Sequence, residues 1–256
     1  MRHIVLGCQL FFETKDFVSG KRWIIGVVLG VMLGFGCNQE SHNIEEIDIK
    51  SYYFPIHKLD DGMMFVYKYK NAMMPEFYWH LKTKKQQDSL YLKVIELNGD
   101  FLVQQQLTEQ VFPSGTRIID YRIMDIDSLG QVDTAQIEIQ NGDSYPFYVE
   151  NDGGVYIFQI NWTFPKNLES KYELVRNRRY VGDTTFLFKG KEVPSIIFNV
   201  KELLVNDLNG RQELEFNKTE IYAKDLGLVY SKRPLNDSLS LEYQLVDTLS
   251  GNLLLE

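Results

Sequence analysis

Cysteine is nearly missing from this 256-residue chain: there are two, Cys8 and Cys37, and none follows position 37. An exported domain held by disulfides needs several paired cysteines within its fold. Whatever folds beyond Cys37 therefore rests on its apolar core. Histidine is also scarce. After Cys37 only His42, His57 and His80 remain, none with a second histidine or a cysteine at ligand spacing, so no metal site is expected. There is no Gly-x-Ser-x-Gly elbow, phosphate-cradling glycine loop or His-Glu-x-x-His pair. Carboxylates are abundant, but the sequence singles out no two of them as a glycosidase-like pair. No catalytic residue and no cofactor are assigned, and the ligand-binding residues stay open.

Positive charge is the minority sign, with 27 Lys and Arg against 35 Asp and Glu. Without residues 1–36, which hold Arg2, Lys15, Lys21 and Arg22 but also Glu13 and Asp16, 23 basic residues face 33 acidic ones, a net of −10. Such a surface repels phosphate backbones, which argues against nucleic acid as a partner. It also argues against adhesion to anionic lipid through charge alone.

Long apolar runs are missing too. The longest uncharged one, Trp23–Phe35, has 13 residues, against about twenty for a helix that crosses a bilayer. Preceded by Lys21-Arg22, it has the length of a signal-peptide core. It ends in Gly34-Phe35-Gly36-Cys37, and the polar stretch Asn38-Gln-Glu-Ser-His-Asn43 follows at once. A small residue, a cysteine and a polar tether in this order resemble the lipobox of bacterial lipoproteins. The resemblance implies that Cys37 receives a diacylglyceryl group, that the bond before it is cut, and that two or three acyl chains hold the protein at a membrane. At about 0.8 kcal/mol per buried methylene such an anchor is stable. An uncleaved anchor and an ordinary secretory cut are the alternatives. Asn38, in place of the aspartate that retains such proteins in the inner membrane, is compatible with the outer membrane, and the periplasmic face is favoured over the cell surface. Residues 1–20 carry Glu13 and Asp16, unusual ahead of a signal core, so translation is expected to start later, at a codon now read as Val18.

The chain is thus read as a signal segment over 1–36, a lipidated Cys37 with a flexible tether to 51, a β-rich domain over 52–250 and a tail over 251–256. Residues 38–51 are poor in apolar side chains. From Tyr52 onward, short alternating or densely apolar runs recur between turn signals, rich in the 15 Tyr and 16 Phe that favour strands. They include Met63–Lys70, Phe77–Lys84, Ser89–Leu97, Val132–Gln140, Val155–Phe164, Tyr172–Val181, Thr184–Lys189 and Ile196–Val205. Asn98-Gly99, Asn141-Gly142 and Asn209-Gly210 mark tight turns. Ser195–Leu208 is the best stretch for a helical alternative, and Asn167–Val175 could hold a turn or two of helix. Ten to twelve strands without a dividing linker predict a mainly β fold. The expected form is one large antiparallel, strongly curved sheet, half-barrel or barrel-like, with a β-sandwich as the alternative.

Tyr53-Phe-Pro-Ile-His-Lys-Leu-Asp-Asp-Gly62, leading into Phe65-Val-Tyr-Lys-Tyr69, looks like the opening strand of small bacterial lipoprotein domains. Glu220-Ile-Tyr-Ala-Lys-Asp-Leu-Gly-Leu-Val-Tyr230 is similar to a strand-turn-strand of half-barrel envelope proteins that include LolA/LolB-like carriers. The resemblance implies a curved sheet able to enclose acyl chains and transfers no binding residue.

Other features have plain readings. Arg176-Asn-Arg-Arg179 is taken as a hairpin end that discourages edge pairing, with contact to an acidic partner as the sharper alternative. Asp125–Gly130 starts like a calcium loop but puts Leu129 at a ligand position. The aromatic clusters at Phe77–Trp79, Tyr145–Tyr148 and Tyr156–Trp162 are assigned to core packing. The expected function is that of a membrane-anchored, non-catalytic binding or carrier module for a lipid or other apolar ligand. The alternative is a structural or assembly lipoprotein acting through envelope protein partners, and an enzyme ranks third.

Overall fold

The structure, a computed structural model, describes residues 45–71, 73–127, 129–150, 154–207, 210–236 and 239–251. Strands take 74% of the chain and helix 3%, in one large antiparallel sheet nearly closed into a barrel with one unsealed seam. The β-sandwich alternative is thereby set aside.

Strand β1 is Glu46–Asp48, and two 3-10 turns follow at Lys50–Tyr52 and Ile56–Lys58. A first meander runs through β2 (Met63–Tyr69), β3 (Phe77–Gln86), β4 (Ser89–Leu97), β5 (Val103–Phe112) and β6 (Gly115–Ile126). The short strands β7 (Val132–Thr134), β8 (Gln136–Asn141), β9 (Asp143–Pro146) and β10 (Tyr148–Glu150) come next. A second meander holds β11 (Val155–Phe164), β12 (Asn167–Phe188), β13 (Lys191–Asn206), β14 (Gln212–Ala223), β15 (Gly227–Pro234) and β16 (Ser240–Ser250). Each strand of a meander pairs with the next, and β16 pairs with β2, so the two meanders form one continuous wall.

That wall would leave β6 and β11 as bare edges. A single run of chain staples them together. β8 pairs with β11, and after Gly142 the chain crosses over so that β9 pairs with β6. Two bonds pin the run to β6: Ala135 N–H to the Ile123 carbonyl and Ile118 N–H to the Gly142 carbonyl, each 2.8 Å. Between these pins β8 gives its ladder to β11, and the seam faces the middle of β6. A Cβ at Gly142 would lie 2.5 Å from the Ile118 carbonyl oxygen, so the crossing needs glycine.

The end near β1 is filled by the N-terminal segment. β1 pairs with β10, and Ile49, Tyr53, Phe54 and Leu59 are buried. The ring of Tyr53 meets Tyr145, Phe147 and Tyr222, while that of Phe54 meets Phe65, Trp79 and Tyr145. This plug therefore spans the lumen from β2 and β3 to β14. Packed chain begins by Glu46, inside the stretch that composition gives to the tether. Its polar residues flank Ile49, which is fully buried, and Ile47, which packs partly buried against the same cluster.

Both helical alternatives are corrected. Of Ser195–Leu208, residues Ser195–Asn206 lie in β13, paired to β12 and β14, while Leu208 is outside the described residues; Asn167–Val175 opens β12. Ladders on both sides satisfy the β13 backbone, and its β-branched Ile196, Ile197, Val200 and Val205 suit a pleated wall. Tyr172–Val181 and Thr184–Phe188 lie in one 22-residue strand with a register shift between Tyr180 and Gly182, and Lys189 begins the turn after it.

Candidate functional site

Alternation sends every second side chain of a strand into the lumen, and the registers then set these residues in rows across the wall. One row holds Ile160, Leu174, Leu204 and Leu214, and the next Phe158, Arg176, Glu202 and Phe216. Below them lie Tyr156, Arg178, Val200 and Lys218, then Tyr180, Phe198, Glu220 and Ser231. Three consecutive rows therefore carry charge inside the barrel. Apolar rows lie on one side and the plugged aromatic cluster on the other.

Glu202 is the centre of this belt and is 1% exposed. Arg176 Nε donates to its Oε1 at 2.8 Å, and Arg233 of β15 donates from Nη2 to its Oε2. Lys218 Nζ is 3.9 Å from Glu202 and 2.7 Å from Glu220. Arg178 Nε stands 3.4 Å from Glu220, and the same arginine donates from Nη1 to the Ser144 carbonyl. Its guanidinium lies 4.6 Å from the centre of the Tyr145 ring, and that of Arg233 lies 5.2 Å from the centre of Phe216. The Tyr222 hydroxyl donates to Glu220 at 2.7 Å. Burial pushes the Glu202 carboxyl up, but Arg176, Lys218 and Arg233 outweigh it and hold it at about 2. Glu220 is likewise held well below the usual carboxylate range, by Lys218, Arg178 and Arg176 against burial.

The first meander faces the belt with two more carboxylates, a half-buried one at Glu96 and a buried one at Glu109. Glu96 of β4 accepts from Trp79 Nε1 at 2.9 Å and from Gln105 Nε2, and the Tyr121 hydroxyl donates to Gln105 in turn. Burial nonetheless raises the Glu96 carboxyl, with those bonds and Lys218 opposing it. Burial raises Glu109 of β5 too, against Thr116, Ser144 and Arg178. Lys218 and Arg178 thus act on carboxylates rooted in the other meander, so the charges share one lumen.

The reading of Arg176–Arg179 as a hairpin end is corrected: all four lie mid-strand in β12, with Arg176 and Arg178 inward and Arg179 exposed. Glu202, Lys218, Glu220 and Arg233 were missed, although the sequence carries a signal for them. In Leu214-x-Phe-x-Lys-x-Glu-x-Tyr222 the charges keep step with the apolar positions, and Leu174-x-Arg-x-Arg-x-Tyr180 does the same. Cys37 and His42 lie outside the described residues. His57 is exposed on a 3-10 turn, and His80 is a buried strand residue. Asp127 accepts from the amides of Leu129 and Gln131 at 2.9 Å each, which makes Asp125–Gly130 a hairpin turn. Phe77, Trp79 and Phe147 face the core, while Tyr148 is exposed. Among the described residues no cluster of three His, Cys, Asp or Glu side chains is placed to hold a metal.

No protein-family model matches the chain, and no curated protein is significantly similar to it. Three solved structures are similar. A candidate exported protein with a YmcC-like fold from Bacteroides fragilis is 8% identical, with a TM-score of 0.49 over 78% of this chain and 100% of its own. A candidate lipoprotein from Parabacteroides distasonis is 10% identical, with a TM-score of 0.48 over 78% and 98%. The hypothetical lipoprotein YmcC from Escherichia coli is 12% identical, with a TM-score of 0.32 over 76% and 89%.

Proposed function

We propose that this chain is a lipoprotein of the cell envelope, anchored through Cys37 to the periplasmic face of the outer membrane. Its barrel would act as a non-catalytic binding or carrier module for the apolar part of a ligand. The observation that carries the reading is the contrast between the two ends of the lumen. At the plug end Tyr53, Phe54, Phe198 and Tyr222 are all buried. At the other end the inward-facing Tyr172, Leu174, Leu214 and Phe216 are only partly buried. Inward-pointing Arg176 and Arg233 are likewise 24% and 17% exposed, so solvent reaches the lumen there. A partly wetted apolar lining between the walls of the barrel suits a ligand that supplies further contacts.

The test uses the full chain purified from envelope membranes. Organic-solvent extraction leaves the covalent acyl chains on Cys37, which intact mass would locate, and removes a non-covalently bound lipid for identification. A lipid recovered at about one per protein supports the carrier. A clean extract, together with no mass gained when lipids are added back, overturns it in favour of a scaffold acting through protein contacts. An intact mass without a diacylglyceryl group on Cys37 overturns the anchor.

A further inference from the structure

Resting on the carrier reading, we propose that Arg176 and Arg233 hold the acidic group of an amphiphilic ligand, a carboxylate or a phosphate. Its apolar part lies along Leu174, Leu214 and Phe216. Four observations lead there. First, these two arginines are the belt cations that solvent reaches, whereas Arg178 and Lys218 are 7% and 8% exposed.

Second, their donors are not used up. A guanidinium has five N–H donors, and Glu202 takes Nε of Arg176 and Nη2 of Arg233. Arg233 Nε is buried with no acceptor among the described residues. A buried donor left unpaired is costly, and an incoming oxygen removes that cost.

Third, the charges within ion-pair distance do not balance: Arg176, Arg178, Lys218 and Arg233 share two carboxylates, Glu202 and Glu220. An anion placed beside the four cations would compensate this local excess of positive charge.

Fourth, the adjoining inward positions on the same strands are apolar. Leu174 is two residues from Arg176, Phe216 is in the cross-strand row of Arg176 and Glu202, and Leu214 follows one row out. A head group on the arginines thus places its tail against this lining.

The experiment is native mass spectrometry of the full chain released from detergent micelles and titrated with dodecyl phosphate, dodecanoate, dodecanol, hexanoate and inorganic phosphate. The two acid-headed dodecyl ligands are expected to bind roughly ten- to a hundredfold tighter than the alcohol, the range of a charge-assisted hydrogen bond. Arg233→Lys keeps a cation beside Glu202 but removes Nε. It should cost the acids roughly tenfold and leave the alcohol unchanged. If that variant does not fold, discrimination between acid and alcohol by the unmodified chain decides alone. Equal binding of acids and alcohol overturns the acidic head group while the carrier reading stands. Binding of hexanoate or inorganic phosphate as tight as that of the dodecyl ligands keeps the anion site and overturns the amphiphile. No binding at all overturns both, and the belt is then a structural network.

Discussion

Two glutamates in one lumen are set to opposite protonation tendencies by their surroundings. Glu202 sits among three cations, and Glu96 among neutral donors. Glu202→Gln would leave those cations underpaired in a buried site and should cost about 3–5 kcal/mol in urea unfolding. Glu96→Gln keeps the shape without the buried charge, and should stay within about 1 kcal/mol at neutral pH. The pH profile follows from the same contrast. A carboxyl depressed from 4.5 to about 2 contributes stability that is complete above the unfolded value and lost as pH falls through 2, about 3 kcal/mol for Glu202. Glu220 adds to it in the same direction. Glu96 and Glu109 are raised, so the folded state holds their protons more firmly, and stability declines as pH climbs above 4.5. The urea midpoint measured from pH 3 to 8 should peak on the mildly acidic side. A maximum at or above neutral pH would contradict this assignment of charges.

At the scale of elements, the plug and the staple decide the architecture. Phe54 touches Phe65, Trp79 and Tyr145, so Phe54→Ala should cost about 3–5 kcal/mol. Gly227, at φ +79°, leaves room for the Phe54 ring, which a Cβ would meet at 2.4 Å. Gly142→Ala is expected to destabilise by about 2 kcal/mol and to speed hydrogen exchange at the Ile118 amide, whose acceptor is the Gly142 carbonyl. Unchanged exchange at Ile118 would mean that the crossing tolerates a side chain. Asn141-Gly142 was legible as the end of a run, but not as a crossing. A dipeptide that accepts unusual backbone geometry serves a hairpin or a change of partner equally well, and only the second edge, β6, distinguishes them.

For the whole molecule, the outward face decides how the barrel meets a membrane. Midway along β13 and β14 the outward positions Asn199, Lys201, Glu213, Glu215, Asn217 and Thr219 are polar, which interrupts any apolar band that could face lipid there. Replacing residues 1–37 with a secretory leader should therefore release the protein into the soluble periplasmic fraction, as fractionation and immunoblotting would show. Retention in the membrane would point to a second attachment. The sequence by itself determined the β class, the acidic cysteine-free domain and most strand positions, because alternation and turn chemistry are local. It also put Lys218 and Glu220 in step with apolar neighbours. What only the tertiary structure decided is that these charges meet inside. Register sets which residues share a row, the β16–β2 pairing joins the two meanders, and the staple at Gly142 brings β6 to β11. Each of these depends on contacts between residues far apart in the chain, so a buried glutamate and an exposed one read alike until the wall closes around them.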